Sequence, residues 1–397
     1  MSGIQQLRAN LEVASRLGAR AVRRKFSGGT GAPPDQRAFR SQFTTLLAGM
    51  PKSLVAEYRF VDLPATTPPW SRSGLDLAVG DSITSFACGR TYLSQTLDVW
   101  LEPAFQLWFR IGVKGPIFRG TRDSHSFTAR LKDRLDLASY WPGEWRSPNG
   151  ELRTPKDDYS RVSGSLCVLL VRWATGVNPQ QGVEQLLAHG DVDGRVADEL
   201  QRLTAAHRPP EGWTPLWFVG DGEVFERADC EGRSGAIACD TERDAEILLH
   251  DVDLPMTDDT VLEWSWNVAA LPSTLREDTL PTHDCLGVAV EYDNGQTLSY
   301  LWSAALPVDT HFACPLPTWR NRHTVYVVRH GPEGLGQWRA ESRHLARDYA
   351  AAVQSPIEVR RILRIWLIGS SLFQHHPGRG VFADIRLTQA GTTLEIK

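Results

Sequence analysis

The chain is poor in the features that most readily announce a function. It has three methionines and six cysteines in 397 residues, and none of Cys88, Cys167, Cys230, Cys239, Cys285 and Cys314 forms a C-x-x-C pair. That spacing excludes a zinc knuckle and a thioredoxin-type motif. No G-x-S-x-G elbow, H-E-x-x-H helix or Rossmann fingerprint is present, which removes the commonest hydrolase, zincin and NAD classes. The glycines of Ser27-Gly-Gly-Thr-Gly-Ala-Pro-Pro34 resemble a phosphate loop only superficially, since no Gly-Lys-Ser/Thr follows and no strand precedes them. No run approaches 18 apolar residues, so no membrane span is expected. The N-terminus lacks an apolar h-region and a cleavage site. A bacterial-type cytoplasmic protein with reduced thiols is the expectation. A net charge of −4 offers no basic footprint for nucleic acid.

What the chain does have is tryptophan, fourteen in all. In β proteins this residue serves both as sheet packing and as a flat platform for ligands. Leu286, Val288, Val290 and Tyr292 alternate with small or polar residues, the period of a strand with one buried face. Asp293-Asn-Gly295 supplies the positive φ angles of a tight turn, and Leu298, Tyr300 and Trp302 resume the alternation. The spacing predicts an antiparallel hairpin. Trp264 and Trp266, two residues apart on one strand, point to the same side and read as core packing.

Residues 2–26 place Ile4, Leu7, Leu11, Ala14, Leu17, Ala21 and Val22 at helical spacing among arginines, with a lone Glu12. Such a basic amphipathic helix can lie on an anionic membrane surface, dock on a partner protein or pack on its own chain. After a Gly/Pro linker, a second helix is expected from an Asp35 cap through Phe39, Phe43, Leu46 and Leu47. From about Leu54 short strands appear, broken by Pro, Gly and Asp, as in a sandwich or jelly roll. Residues 179–207 turn helical, split between Gly190 and Gly194, and Arg208-Pro-Pro-Glu-Gly-Trp213 opens a second β region. The fold expected is mainly β: two tandem antiparallel β-sandwich, jelly-roll-like domains over 51–176 and 212–397. N-terminal helices over 1–50 precede them and a helical connector over 177–211 joins them.

The blocks Leu262-Glu-Trp-Ser-Trp266, His283-Asp-Cys-Leu-Gly-Val288, Leu298-Ser-Tyr-Leu-Trp302, Gly336-Gln-Trp338 with Arg343, Asp348-Tyr349 and Phe382-Ala-Asp-Ile385 agree in order and spacing with one bacterial family. By these blocks the second domain resembles the family known as domain of unknown function 3047, over about 246–387. The resemblance implies a sugar-binding type of β-sandwich and no established reaction. The family pattern tends to carry an Asp-x-Asp-type pair where this chain has Ser370-Ser-Leu-Phe-Gln-His-His376. In the first domain, Trp70-Ser-Arg-Ser-Gly74, Gly80-Asp-Ser-Ile-Thr84, Phe118-Arg-Gly120, Leu135-Asp-Leu-Ala138 and Ser163-Gly-Ser-Leu166 resemble the calcium-dependent galactose-binding jelly roll of bacterial lectins. That resemblance implies a Ca²⁺ held by an Asp just after the Leu-x-Leu-Ala strand. Here the stretch reads Ser139-Tyr-Trp-Pro-Gly-Glu-Trp145, without the Asp. Asn149, Asp157 and Asp158 are the oxygen ligands left to substitute. No other cofactor is expected.

The most ligand-like cluster is Tyr140, Trp141, Glu144 and Trp145 with Asn149, on a loop marked by Pro142 and Gly143. Aromatic rings stack on sugar faces while Glu or Asn bond hydroxyls. The same residues also suit a tryptophan-pinned loop that closes the sandwich. Arg122, Asp123 and His125 form a second polar loop, either a surface turn with a local salt bridge or a ligand contact in which Asp123 orients His125 as a base. In the second domain Asp284, Glu291 and Asp348, with Arg343, are candidates for the carboxylate pair of glycoside cleavage, or for charge pairs that organise the sheet. His375-His376 reads as a solvated loop, because adjacent residues of an extended segment point to opposite faces. The first reading is non-catalytic binding of carbohydrate or another small hydroxylated ligand. An enzyme acting on a glycan or small-molecule natural product through the second domain's acids stands beside it, and an assembly or adaptor protein docking through 2–26 is the third.

Overall fold

The computed structural model describes residues 11, 13–19, 34–67, 69–140, 145–205 and 207–397, and its chain divides into two compact units, Ala14–His207 and Arg208–Lys397, the latter grouped with the described residues up to Val13. Of the basic helix expected over 2–26, residues 13–19 are helical, with Leu17 buried and Leu11 exposed. The rest of that segment lies outside the described residues. Among the described residues no helix is long and apolar enough to cross a membrane.

The first unit is a sandwich of β1 (Val55–Pro64), β2 (Trp70–Leu77), β3 (Ser82–Ser94), β4 (Val99–Leu101), β5 (Leu107–Ile111), β6 (Ile117–Arg119), β7 (Ser124–Thr128), β8 (Asp133–Ser139) and β9 (Ser163–Trp173). One sheet runs β1-β9-β3-β4, with β7 also pairing β3, and the other runs β2-β8-β5-β6. Between them pack Leu63, Ala87, Phe109, Leu135, Leu137, Leu166, Val168 and Leu170. The alternate residues of β3 and β9, Phe86, Cys88, Cys167, Leu169 and Val171, face a second core of helices. That double burial is why Leu166 to Val171 reads as an unbroken apolar run rather than an alternation.

The helices on that outer face are α1 (Gln36–Ala48), α3 (Pro179–His189) and α4 (Arg195–Thr204), while the single turn α2 (Pro103–Gln106) precedes β5. Asp35 caps α1 as expected, accepting from the N–H groups of Arg37 at 2.9 Å and Ala38 at 3.1 Å. Asn178 and Gln181 form a reciprocal capping box at the start of α3. Val183, Leu186 and Val196 share one core with Phe39, Phe43 and Leu47. Residues 179–204 are therefore a covering layer of the first domain and not a free connector. A sheet whose both faces are apolar needs that cover.

The second unit contains β10 (Thr214–Pro215), β11 (Phe225–Arg227), β12 (Ile237–Thr241), β13 (Ala245–Pro255), β14 (Val261–Ala270), β15 (Cys285–Tyr292), β16 (Thr297–Ser303), β17 (His311–Ala313), β18 (His323–His330), β19 (Trp338–His344), α5 (Leu345–Ala352), β20 (Arg361–Ser370), β21 (Gly378–Gln389) and β22 (Thr392–Glu395). Its seven-stranded sheet is ordered β10-β13-β20-β15-β16-β18-β17, and its six-stranded sheet β11-β12-β21-β14-β19 with β22 on β21. The expected hairpin is β15–β16, in register from Gly287 opposite Leu301 to Glu291 opposite Thr297. Its turn closes with the Gly295 N–H on the Tyr292 carbonyl at 3.1 Å, and Gly295 sits at φ +78°, where a side chain is strained. The pairing is not antiparallel throughout, because β16 and β18 run parallel. The chain between them makes β17 at the sheet edge before returning, so β18 enters in the same direction as β16. Trp264 and Trp266 are 1% and 0% exposed and meet Tyr300 and Trp302 at ring separations of 5.4 and 5.6 Å, which makes them core.

Candidate functional site

In the first domain, Trp141 and Glu144 lie outside the described residues, and their neighbours Tyr140 and Trp145 are only 3% and 1% exposed. The two rings stack at 3.8 Å, Trp145 continues onto Trp70 at 5.3 Å, and Trp108 meets Trp145 edge-on. Tyr140 Oη and Thr154 Oγ1 are 3.2 Å apart. Trp70 donates from Nε1 to the Gly150 carbonyl at 2.7 Å, and the Arg110 guanidinium lies 4.1 Å from the Trp70 ring centre. These described rings act as packing, not as an open platform. Asn149 Oδ1 accepts from Ser147, and the Asn149 carbonyl accepts from Arg110 at 3.2 Å.

Asp123 Oδ1 accepts from the Ala104 N–H at 3.2 Å, anchoring α2, while His125 Nδ1 lies 3.2 Å from Thr121 Oγ1 and the ring packs among Phe109, Phe118 and Phe127. Arg122 is exposed. Asp157 and Asp158 open a 3₁₀ turn, where Asp158 pairs with Arg161 at 3.6 Å. Among the described residues no three His, Cys, Asp or Glu side chains meet as metal ligands.

Asp284 and Glu291 are not brought together as a glycoside-cleaving pair. Asp284 precedes β15 and Glu291 lies near its far end, on the order of 20 Å away at roughly 3.3 Å per residue. Retaining and inverting sites need about 5–9.5 Å. Each acid is also committed. Asp284 accepts from the N–H groups of Phe373 at 3.0 Å and Gln374 at 2.6 Å, tying down the loop that carries His375 and His376. Glu291 holds Arg364 through both oxygens at 3.1 Å and takes the Trp366 Nε1 proton at 3.0 Å. Asp348 receives Arg343 at 2.7 and 2.9 Å and the Tyr300 hydroxyl at 3.1 Å.

Sequence reasoning passed over a second buried acid, Glu277. It accepts from Ser303 Oγ at 2.5 Å and the Ala304 N–H at 2.7 Å. Burial pushes both Glu277 and Asp284 up to about 7, against the hydrogen bonds that favour their charged forms. Between them in sequence, His283 places Nδ1 2.7 Å from the Glu277 carbonyl and Nε2 3.3 Å from Cys314 Sγ. This resembles a nucleophile and base, but burial lowers the imidazole and raises the thiol to about 12, so the pair is chemically quiet.

The open concavity of this domain lies elsewhere. A cleft of about 520 Å³ is lined by Glu211, Arg227, Asp229, Cys230, Glu231, Arg233 and Lys397, over the short strands β11 and β12. The turn between those strands is shaped by Gly232 at φ +70° and by the Arg233 N–H on the Cys230 carbonyl at 3.1 Å. Arg233 is fixed: Nη1 donates to Asp384 at 2.7 Å and Ser265 Oγ at 3.1 Å, and its guanidinium lies 4.4 Å from the Trp338 ring centre. Burial works to raise the Asp384 carboxyl, but the Ser234 N–H and Arg233 outweigh it and hold it below the usual range. Asp229 is taken by Arg208 at 2.6 Å. The side chains of Glu211, Arg227 and Glu231 are exposed into solvent. The sequence signal available for them was the dense mixed charge of Arg227-Ala-Asp-Cys-Glu-Gly-Arg233.

The second domain is also where a family emerges. Residues 211–386 match the family described as protein of unknown function, DUF3047. The span covers nearly all of the second unit and leaves the first outside it. Among solved structures, the chain is similar to the EclA N-terminal domain, a PllA-like lectin, at 15% identity over 31% of this chain and 99% of that one, with a TM-score of 0.24. It is also similar to the xyloglucanase domain of NopAA, a type three effector from Sinorhizobium fredii in complex with cellobiose. There the identity is 9% over 48% of this chain and 98% of that one, with a TM-score of 0.25. At such scores neither likeness carries an argument. No curated protein matches.

Proposed function

We propose that this protein binds carbohydrate or another small hydroxylated ligand without transforming it, through the cleft of the second domain. The observation that carries the reading is the cleft's size and lining. About 520 Å³ falls within the range of roughly 300–1,000 Å³ usual for small-molecule sites. Carboxylates that accept and guanidinium groups that donate stand together on its walls, which suits hydroxyls that do both. Arg233, locked between Asp384 and Trp338, supplies a donor whose position is set before a ligand arrives. The separation of Asp284 from Glu291, too wide for a glycoside-cleaving pair, favours binding over cleavage. Trp141, Glu144 and Arg122 of the first domain are proposed as further ligand contacts.

A glycan array followed by calorimetry on the full chain tests this. Arg227→Ala and Glu231→Gln are expected to weaken binding about tenfold or more with the melting temperature unchanged, and Trp141→Ala to weaken it less. Binding that survives the two cleft substitutions rejects the cleft. Repeating the titration in EDTA tests the Asn149, Asp157 and Asp158 calcium set, which unchanged affinity would reject. Release of reducing sugar from any bound glycan would replace the binding reading with an enzymatic one.

A further inference from the structure

Cys88 on β3 and Cys167 on β9 stand directly opposite one another in an antiparallel ladder. Opposed residues in such a pair have Cα atoms about 4.5–5.5 Å apart, inside the range of about 4.4–6.8 Å that a disulfide spans. They also project to the same face of the sheet. Here that face is the helix-covered one, where the two residues are 1% and 0% exposed and belong to one packed cluster. Cys239 and Cys285, by contrast, face Gly380 and Ser370 across their ladders. Arg40 of α1 reaches one sulfur, with Nη2 3.6 Å from Cys167 Sγ, and its side chain is 40% exposed. Burial raises the two thiols to about 12 and about 11, and the arginines Arg195 and Arg40 oppose that rise at Cys88 and Cys167 respectively.

We propose that Cys88 and Cys167 are a redox-closable pair that a low-molecular-weight disulfide converts to a cross-strand disulfide locking the centre of the first domain's larger sheet. Cys167, deprotonated beside Arg40, attacks the small disulfide, forming a mixed disulfide and releasing one small thiol. Cys88 gives up its proton and displaces the second small thiol, closing the Cys88–Cys167 bond. Two protein thiols are oxidised and one small disulfide is reduced to two thiols, so atoms and electrons balance. The raised thiols make the reaction slow in the folded protein.

The test uses the full chain and oxidised glutathione. One sample is oxidised while folded, and a second is refolded from denaturant in a mixed glutathione buffer, where access to the thiols does not limit the reaction. After alkylation under denaturing conditions, peptide mapping is expected to find Cys88 joined to Cys167 with a mass loss of two hydrogens. The other four cysteines should be alkylated, and the melting temperature should rise by roughly 5–10 °C. Cys88→Ser and Cys167→Ser should each abolish the link and the rise. Six alkylated cysteines in the refolded sample, or a link between any other two, would overturn the proposal.

Discussion

Both sandwiches pair buried acids with arginine, Asp348 with Arg343 in the second among them, but they treat some of their buried acids differently. In the first domain, buried carboxylates have cations: Glu102 has Arg90 at 2.9 Å, Asp136 has Arg110 and Arg134 at 3.2 and 2.8 Å, and Glu199 has Arg202 at 2.8 Å. In the second, Glu277 and Asp284 are held by hydroxyl and backbone N–H groups. The outcome separates accordingly. Burial works to raise Glu199, yet Arg202 and the Ser124 and Ser126 hydroxyls bring it below the usual value, while Glu277 and Asp284 rise to about 7. At Glu277 and Asp284 the neutral donors do not offset desolvation, whereas at Glu199 a guanidinium together with two hydroxyls does.

Breaking the compensated case should have the largest effect. Arg202→Ala leaves Glu199, 0% exposed, charged and without its cation, and is expected to cost about 3–5 kcal/mol in denaturant unfolding of the first domain. Adding Glu199→Gln should return much of that loss; an equal loss in the double variant would show that packing, not charge, was at stake.

The uncompensated case predicts a pH effect. Glu277 ionises near 4.5 when unfolded and at about 7 when folded, so between those values the folded state holds the extra proton. Its contribution is therefore fully favourable below about 4.5, is lost as the pH rises towards 7, and is level above. Glu277→Gln should flatten that fall and leave the variant more stable than the parent at pH 8, by on the order of 2 kcal/mol. Urea titrations at pH 5 and pH 8 measure it, and parallel curves for parent and variant would reject the assignment.

Smaller effects belong to local and surface groups. Asp123→Ala removes the acceptor for the Ala104 N–H and should cost about 1 kcal/mol, read as a shift in the urea midpoint. Arg379→Ala breaks an exposed pair with Asp240, 52% and 67% exposed, and should leave the melting temperature unchanged within error.

Much of the framework was legible in the chain. The alternation through Leu286–Tyr292 and the Asp-Asn-Gly turn specified a hairpin because both signals are local, and Asp35 announced α1 because a cap acts over three residues. The parallel entry of β18 beside β16 was not legible, since strand direction depends on where an intervening loop returns. Nor was the role of residues 179–204, whose helical period says which face is apolar and nothing about what covers it. The candidate sites fared unevenly. Tyr140 and Trp145 looked like a ligand platform because aromatic residues on a Pro/Gly loop carry no sign of their burial. Asp284, Glu291 and Asp348 looked like a catalytic set because one-dimensional spacing does not give separation across a sheet. The cleft at Arg227–Arg233 was missed because mixed charge on a loop has the same composition whether it lines a concavity or a convex surface.

By itself, then, the sequence determined that this is a tryptophan-rich, mainly β protein with two sandwich regions and a specific hairpin, because period, turn chemistry and caps act between near neighbours. Tertiary structure alone decided which tryptophans are core, which acids find a cation, which cysteines face each other and where a concavity opens. Many of these properties arise between residues tens of positions apart, such as Cys88 and Cys167, and only packing brings them within reach.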